Sequence, residues 1–198
     1  MTRISIYSAA LVAFAGSTAM TLAAILMPDW VSYSVTANTG ATFTQKLGLH
    51  RSCSSEFDPP CRPFPERVDC LGDERQFCSM WRTTGFLMSF AAVAELATLV
   101  GFLVIMMGGK MKREAGWKIV VGMLAIVAAI LLAAMSIVAY LLDHDEKFIV
   151  PGWKLDKSWI LCIVSGSLAV LSALGLTISA FVLPPEDGYE FLDDPINP

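Results

Sequence analysis

Four long apolar stretches constrain this chain more than any other feature. They run from about Ile4 to Met27, Thr83 to Met107, Trp117 to Leu142 and Ser158 to Leu183. Each exceeds the ~20 residues that an α-helix needs to cross the ~30 Å hydrocarbon core of a bilayer. Away from their ends, Glu95 is the only strong charge that any of them contains. Lipid offers no water to a backbone N–H or C=O, so each stretch has to be a helix that closes its own hydrogen bonds. The expected fold is a mainly α membrane protein, a four-helix transmembrane bundle, and the function has to be sought between the spans.

Composition agrees. Charged residues make up 16% of the 198 residues and hydrophobic ones 55%, against a charged share of ~25% in a soluble domain. The net charge of -4 comes with no basic stripe, which argues against a nucleic-acid partner. The expected organisation is one four-span domain over residues 1–183, with a first loop at 28–82, a second at 143–157, and an acidic, Pro-rich tail at 184–198. Such a tail lacks the apolar residues to order itself. The first span carries Arg3 ahead of an apolar run longer than a signal peptide's 7–15-residue core, so it is read as a retained helix. Trp30, Trp81, Trp117, Trp153 and Trp159 all fall near a span end, where an indole suits the membrane–water interface.

The first loop begins like a small sheet. Val31, Tyr33 and Val35 alternate with polar residues, and after Asn38-Thr39-Gly40 the apolar Phe43, Leu47 and Leu49 mostly keep alternate positions. Alternation on both sides of an Asn/Gly turn predicts an antiparallel hairpin. Asp58 to Pro65 holds four prolines and cannot be a regular central strand. In the second loop, the β-prone run Phe148-Ile149-Val150, closed by Pro151-Gly152, is expected to add one strand. Small residues recur every four positions at Ala9, Ala13 and Ser17, at Ala125, Ala129 and Ala133, and at Ser165, Ala169 and Ala173. These stripes predict close helix packing within the bundle, or a face for a homo-oligomer.

Cys53, Cys61, Cys70 and Cys78 all lie in the first loop. Four cysteines in a segment with little other core predict two disulfides, of which three connectivities are open. The absence of a Cys-x-x-Cys pair argues against zinc. Disulfides put the loop in an oxidising space. Lys and Arg are more numerous in the two loops so placed than around residues 108–118, so the positive-inside rule alone would turn the chain over; the cysteines are given precedence. Cys162 reads as a buried apolar residue.

Trp30, then Gly48-Leu49, Cys53 and Cys61, and Arg82 ahead of span two form an ordered pattern. It resembles the signature of the claudin superfamily, which includes peripheral myelin proteins, epithelial membrane proteins and calcium-channel gamma subunits, with fungal members acting in cell-wall integrity, mating or pH sensing. The resemblance covers nearly the whole chain in outline. It implies a claudin-like, left-handed four-helix transmembrane bundle with a small antiparallel extracellular β-sheet, both termini in the cytoplasm, a Cys53–Cys61 bridge, and Arg82 as a brace. That leaves Cys70–Cys78, a pair outside the claudin pattern. His50 stands where the family has a second tryptophan, and the chain ends Ile196-Asn197-Pro198 rather than in the family's junctional Tyr-Val type. The likeness is therefore to a divergent, fungal or invertebrate member. Tetraspanins, connexins and quinone-linked oxidoreductases each require cysteines that this chain places elsewhere or lacks.

Few residues suggest chemistry, and no nucleophile–base arrangement, phosphate loop or Asn-x-Ser/Thr acceptor occurs. No cofactor or metal is expected. Glu95, about midway through span two, is an ion- or proton-site candidate by its depth. Lacking a second ionisable partner, it reads better as a tie to a hydroxyl such as Thr18, Ser136 or Ser172. His50 reads as an exposed His rather than a pH sensor, and Asp143, Asp145 and Glu146 as a solvated turn. Tyr189-Glu190-Phe191-Leu192 matches a short endocytic sorting pattern.

The resulting expectation is a non-enzymatic, multi-pass plasma-membrane protein of adhesion, barrier or membrane-domain organisation, as at a cell junction. Val31, Tyr33, Val35, Phe43, Leu47, Phe148, Ile149 and Val150 would form its contact surface, toward a protein in the same or an apposed membrane. Alternatives are an auxiliary subunit of a channel, transporter or cell-wall synthase, and an ion-conducting or pH-sensing protein using Glu95.

Overall fold

The computed structural model describes residues 3–36, 42–56, 58–71 and 74–182. Its four helices are α1 (Arg3–Leu26), α2 (Arg75–Met107), α3 (Gly109–His144) and α4 (Lys157–Val182). All four are long and apolar enough to cross a membrane, and a lipid bilayer is the environment they imply. The helices pack in a ring, α1 on α2, α2 on α3, α3 on α4 and α4 back on α1. Phe14, Met88, Phe102, Leu124, Leu131 and Leu176 fill the interior, while Phe86, Val93, Val100, Leu132 and Ile178 stand exposed on the outer faces. In water that outer surface would be an aggregation hazard; in acyl chains it meets its own kind.

Two boundaries differ from the apolar stretches. α2 starts at Arg75, about two turns before Thr83, so its first turns stand clear of the apolar run and reach into the loop. The expected connection at residues 108–116 shrinks to Gly108, because α3 is already helical from Gly109. The stripes also divide. Ser17, Ser165 and Ala169 face the core, but Ala125, Ala129 and Ala133 are exposed. The inward face of α3 belongs to Leu124, Val127, Leu131 and Val138, with Ala134 among them; the four larger side chains, at helical spacing, bury more area against α2 and α4.

Five strands cap one end of the bundle: β1 (Val31–Thr36), β2 (Thr42–Leu47), β3 (Arg51–Ser54), β4 (Cys61–Pro63) and β5 (Trp153–Leu155). They form one antiparallel sheet in the order β4-β3-β2-β1-β5. The alternation in β1 and β2 produces the expected hairpin, registered from Val31 opposite Leu47 to Thr36 opposite Thr42. The turn residues Asn38-Thr39-Gly40 lie outside the described residues, as do the tail 184–198 and its Tyr189-Glu190-Phe191-Leu192 motif. Proline restricts β4 to an edge, where a missing N–H costs no ladder bond.

The second loop does supply a strand, but not from Phe148-Ile149-Val150. Glu146–Phe148 is a turn of 3-10 helix, begun by Asp145, whose Oδ1 accepts from Lys147 N at 3.0 Å. The chain then turns at Pro151-Gly152, and β5 pairs Trp153 with Tyr33 and Leu155 with Val31. Gly152 has φ +124°, and a Cβ there would sit 3.1 Å from the Tyr33 ring. The turn needs glycine, and it postpones the strand until after itself.

Candidate functional site

The cap is fastened to the bundle by the residues of the tryptophan–Gly-Leu–cysteine pattern. Trp30 is fully buried, and its Nε1 donates to Ala24 O at 2.7 Å. Ala24 lies in the last turn of α1, where carbonyls lack helical partners, so the indole closes the helix end. Trp30 N donates to Leu47 O, and Asp156 N donates to Trp30 O, which threads both loops through one residue. Gly48 passes so close to the end of α1 that a Cβ would lie 2.5 Å from Pro28 Cα. Its carbonyl accepts from Trp81 Nε1 at 3.1 Å. Leu49 is buried beside it.

Cys53 bonds to Cys61, its cross-strand partner on β3 and β4, and Cys70 bonds to Cys78, joining the 3-10 turn Val68–Cys70 to the start of α2. Between the second bridge and β5 lies an aromatic cluster. Phe77 stacks on Trp81 at 5.4 Å, Phe64 meets Trp81 edge-on at 5.7 Å, and Phe148 meets Phe77 at 5.9 Å and Trp153 at 5.2 Å. Lys147 Nζ sits 4.7 Å from the Phe77 ring centre and is held at 2.9 Å by Glu74, a cation–π contact fixed by an ion pair.

This packing corrects the expected contact surface. Val31, Leu47 and Phe148 are 0%, 2% and 7% exposed, so they belong to the seam between sheet and bundle and offer nothing to a partner. Val31 and Leu47 face each other at the strand ends nearest the helices, and Phe148 is drawn into the aromatic cluster. Tyr33 and Phe43 are half-buried, with Tyr33 packed on Phe43 and Trp153. Val35, Ile149 and Val150 are exposed. Two apolar residues that sequence reasoning passed over, Val68 and Leu71, are exposed as well; their placement beside Cys70 in a polar segment was the available signal.

Two of the five tryptophans are corrected too. Trp30 and Trp81 are buried under the sheet rather than turned to the headgroups, while Trp117, Trp153 and Trp159 are half-buried. Arg82 is exposed, with Nη2 3.7 Å from Cys70 Sγ, so it lies against the second disulfide. His50 is exposed. Among the described residues, no group of His, Cys, Asp and Glu is arranged to hold a metal ion.

Glu95 is fully buried between helices. Its Oε1 accepts from Thr21 Oγ1 of α1 at 2.8 Å, and Thr21 Oγ1 lies 2.7 Å from Ser165 Oγ of α4. Ser17 continues the cluster, donating to Ser165 O at 3.0 Å. Oε2 has no partner among the described residues. The tie to a neighbouring hydroxyl exists, but through Thr21 rather than the expected candidates. The Thr18 and Ser136 hydroxyls are spent on carbonyls of their own helices, at Phe14 and Leu132. Thr21 and Ser17 sit one turn apart on the face of α1 that meets α4 and α2, a pairing that depends on helix rotation and not on spacing alone.

No protein-family model matches this chain, and no curated protein does.

Proposed function

We propose that this chain is a divergent claudin-like protein of the plasma membrane, without enzymatic activity. Its disulfide-closed cap stands outside the cell, and both termini lie in the cytoplasm. The cap's exposed apolar residues Val35, Ile149 and Val150 would meet a protein in the same or an apposed membrane, a second copy included. One observation carries this reading: a sheet closed by two disulfides and stitched to the helix ends by Trp30, Gly48 and Trp81. A platform so fixed presents its outer residues without an ordering cost at binding, and its disulfides persist only in an oxidising compartment.

The test has two arms. In intact cells, a membrane-impermeant thiol reagent applied after impermeant reduction should label Cys53, Cys61, Cys70 and Cys78. Labelling only after permeabilisation reverses the orientation and ends the proposal. In vesicles, Val35→Ser, Ile149→Ser and Val150→Ser together should abolish clustering by the wild type; unchanged clustering moves the contact elsewhere.

A second reading, an auxiliary subunit, draws on a lipid-facing groove of about 560 Å³ between α3 and α4, lined by Met135, Ala139, Trp159 and Gly166 among others. Its Ser136 and Ser167 hydroxyls bond their own helices, which leaves a largely apolar trough suited to a partner's helix. Stable co-purification with a larger membrane complex, lost on Gly166→Leu, distinguishes this reading from self-association.

A further inference from the structure

One outer face of α2 changes character along its length. Arg75, Ser79, Arg82 and Thr83 recur at helical spacing and are exposed; Phe86 and Phe90 continue the same face one and two turns later, also exposed. The polar part therefore ends, at Thr83, about 4.5 Å along the axis from the first exposed ring, Phe86. In the bilayer that the helices imply, that step would put Arg82 at headgroup depth, above the acyl chains that Phe86 and Phe90 would meet, with Arg75 about 10 Å further out along the axis.

The arginines share a groove of about 510 Å³, walled by the Cys70–Cys78 disulfide and floored by Ser79, Thr83 and Phe86. Among the described residues, no carboxylate pairs with either of them. Of the nearest described acids, Asp69 is held by Arg62 at 2.9 Å and Glu74 by Lys147 at 2.9 Å. Arg82 has only the disulfide sulfur at 3.7 Å, and Arg75 has no ion pair among the described residues. Two arginines whose Cα atoms are about 10 Å apart along one helix face, both lining the groove, with the Ser79 hydroxyl between them, make a cradle for a tetrahedral anion. Guanidinium matches phosphate oxygens by paired, charge-assisted hydrogen bonds.

We propose that Arg75 and Arg82 hold the phosphate of a membrane phospholipid whose acyl chain runs down the Phe86–Phe90 face. The phosphodiester takes hydrogen bonds from both arginines, with the Ser79 hydroxyl completing its shell; the Thr83 hydroxyl is spent on the Ser79 carbonyl at 2.8 Å. The second disulfide fixes the wall against which the headgroup rests. The lipid anchors α2 at a fixed depth and so sets the height of the cap above the bilayer. This inference does not depend on what the cap contacts.

Native mass spectrometry of the detergent-solubilised full chain tests it, with phosphatidylglycerol as the probe. Diacylglycerol of the same chains and water-soluble glycerophosphate serve as the other arms. The wild type should retain one phosphatidylglycerol, retain diacylglycerol at least tenfold less well, and show no competition from glycerophosphate. Arg75→Gln combined with Arg82→Gln should lower phosphatidylglycerol retention about tenfold, while Lys154→Gln, an exposed cation on β5, leaves it unchanged. Arg75→Gln alone, which removes no hydrogen bond or ion pair among the described residues, should lower it severalfold, so a misfolded double variant does not decide the matter. Equal retention of diacylglycerol, equal retention by the Arg75 variant, or an equal loss with Lys154→Gln overturns the proposal. Efficient displacement by glycerophosphate would assign the site to a soluble phosphate and overturn it as a lipid site.

Discussion

Substituting Gly48 by alanine should be among the most damaging single-methyl changes in this protein. The added Cβ would sit 2.5 Å from Pro28 Cα, 3.1 Å from Met27 O and 3.1 Å from Arg51 O. All three are backbone atoms, so no side chain can rotate away, and relief requires parting β2 from the end of α1. That movement has two costs. Overpacking a closed site costs roughly 1–3 kcal/mol. Shifting the Gly48 carbonyl also strips Trp81 Nε1 of its acceptor, and an unsatisfied buried donor costs roughly 1–3 kcal/mol. The total is ~3 kcal/mol, which lowers Tm by roughly 6–12 °C for a chain of this size. Thermal unfolding of the detergent-solubilised protein, followed by tryptophan fluorescence, reads the change directly. Gly122→Ala and Gly175→Ala are the controls, since a Cβ at either position meets nothing within 4 Å, and each should shift Tm by no more than about 2 °C. If Gly48→Ala melts with these controls, the close approach of the loop to α1 is wrong, and with it the way the cap is seated.

Trp30→Phe keeps a ring in the buried site but leaves Ala24 O without its donor, and should cost ~1–3 kcal/mol in the same melt; a neutral result would mean that the indole does not close α1. Cys70→Ser with Cys78→Ser opens a loop of sequence separation 8, worth ~2.5 kcal/mol by loop-closure entropy, and guanidinium or thermal titration should show a loss of that order. Thr21→Val removes the donor to Glu95 Oε1; a double-mutant cycle with Glu95→Leu, which removes the acceptor, should return a coupling of roughly 0.6–2 kcal/mol, and zero coupling would disprove the contact. Glu95→Gln, which preserves an acceptor oxygen for Thr21, should leave ion flux in liposomes untouched if the carboxyl ties helices together. A changed flux would favour the ion-conducting alternative.

Apolar run length and cysteine placement are enough to specify four spans and one disulfide-closed loop. A stretch that can satisfy its backbone in lipid only as a helix has no second option, and four such stretches leave one cap-sized loop. Alternation likewise set the β1–β2 hairpin, because the side-chain period of a strand is local. What tertiary structure decided were matters of rotation and competition. Only the turn of α1 about its axis brings Thr21, and not Thr18, to Glu95. Larger inward residues turn Ala125, Ala129 and Ala133 out of the core. The aromatic cluster claims Phe148 and moves the last strand to Trp153–Leu155. Each of these depends on which distant side chains fill the same space, and dense packing admits one solution that no local pattern encodes.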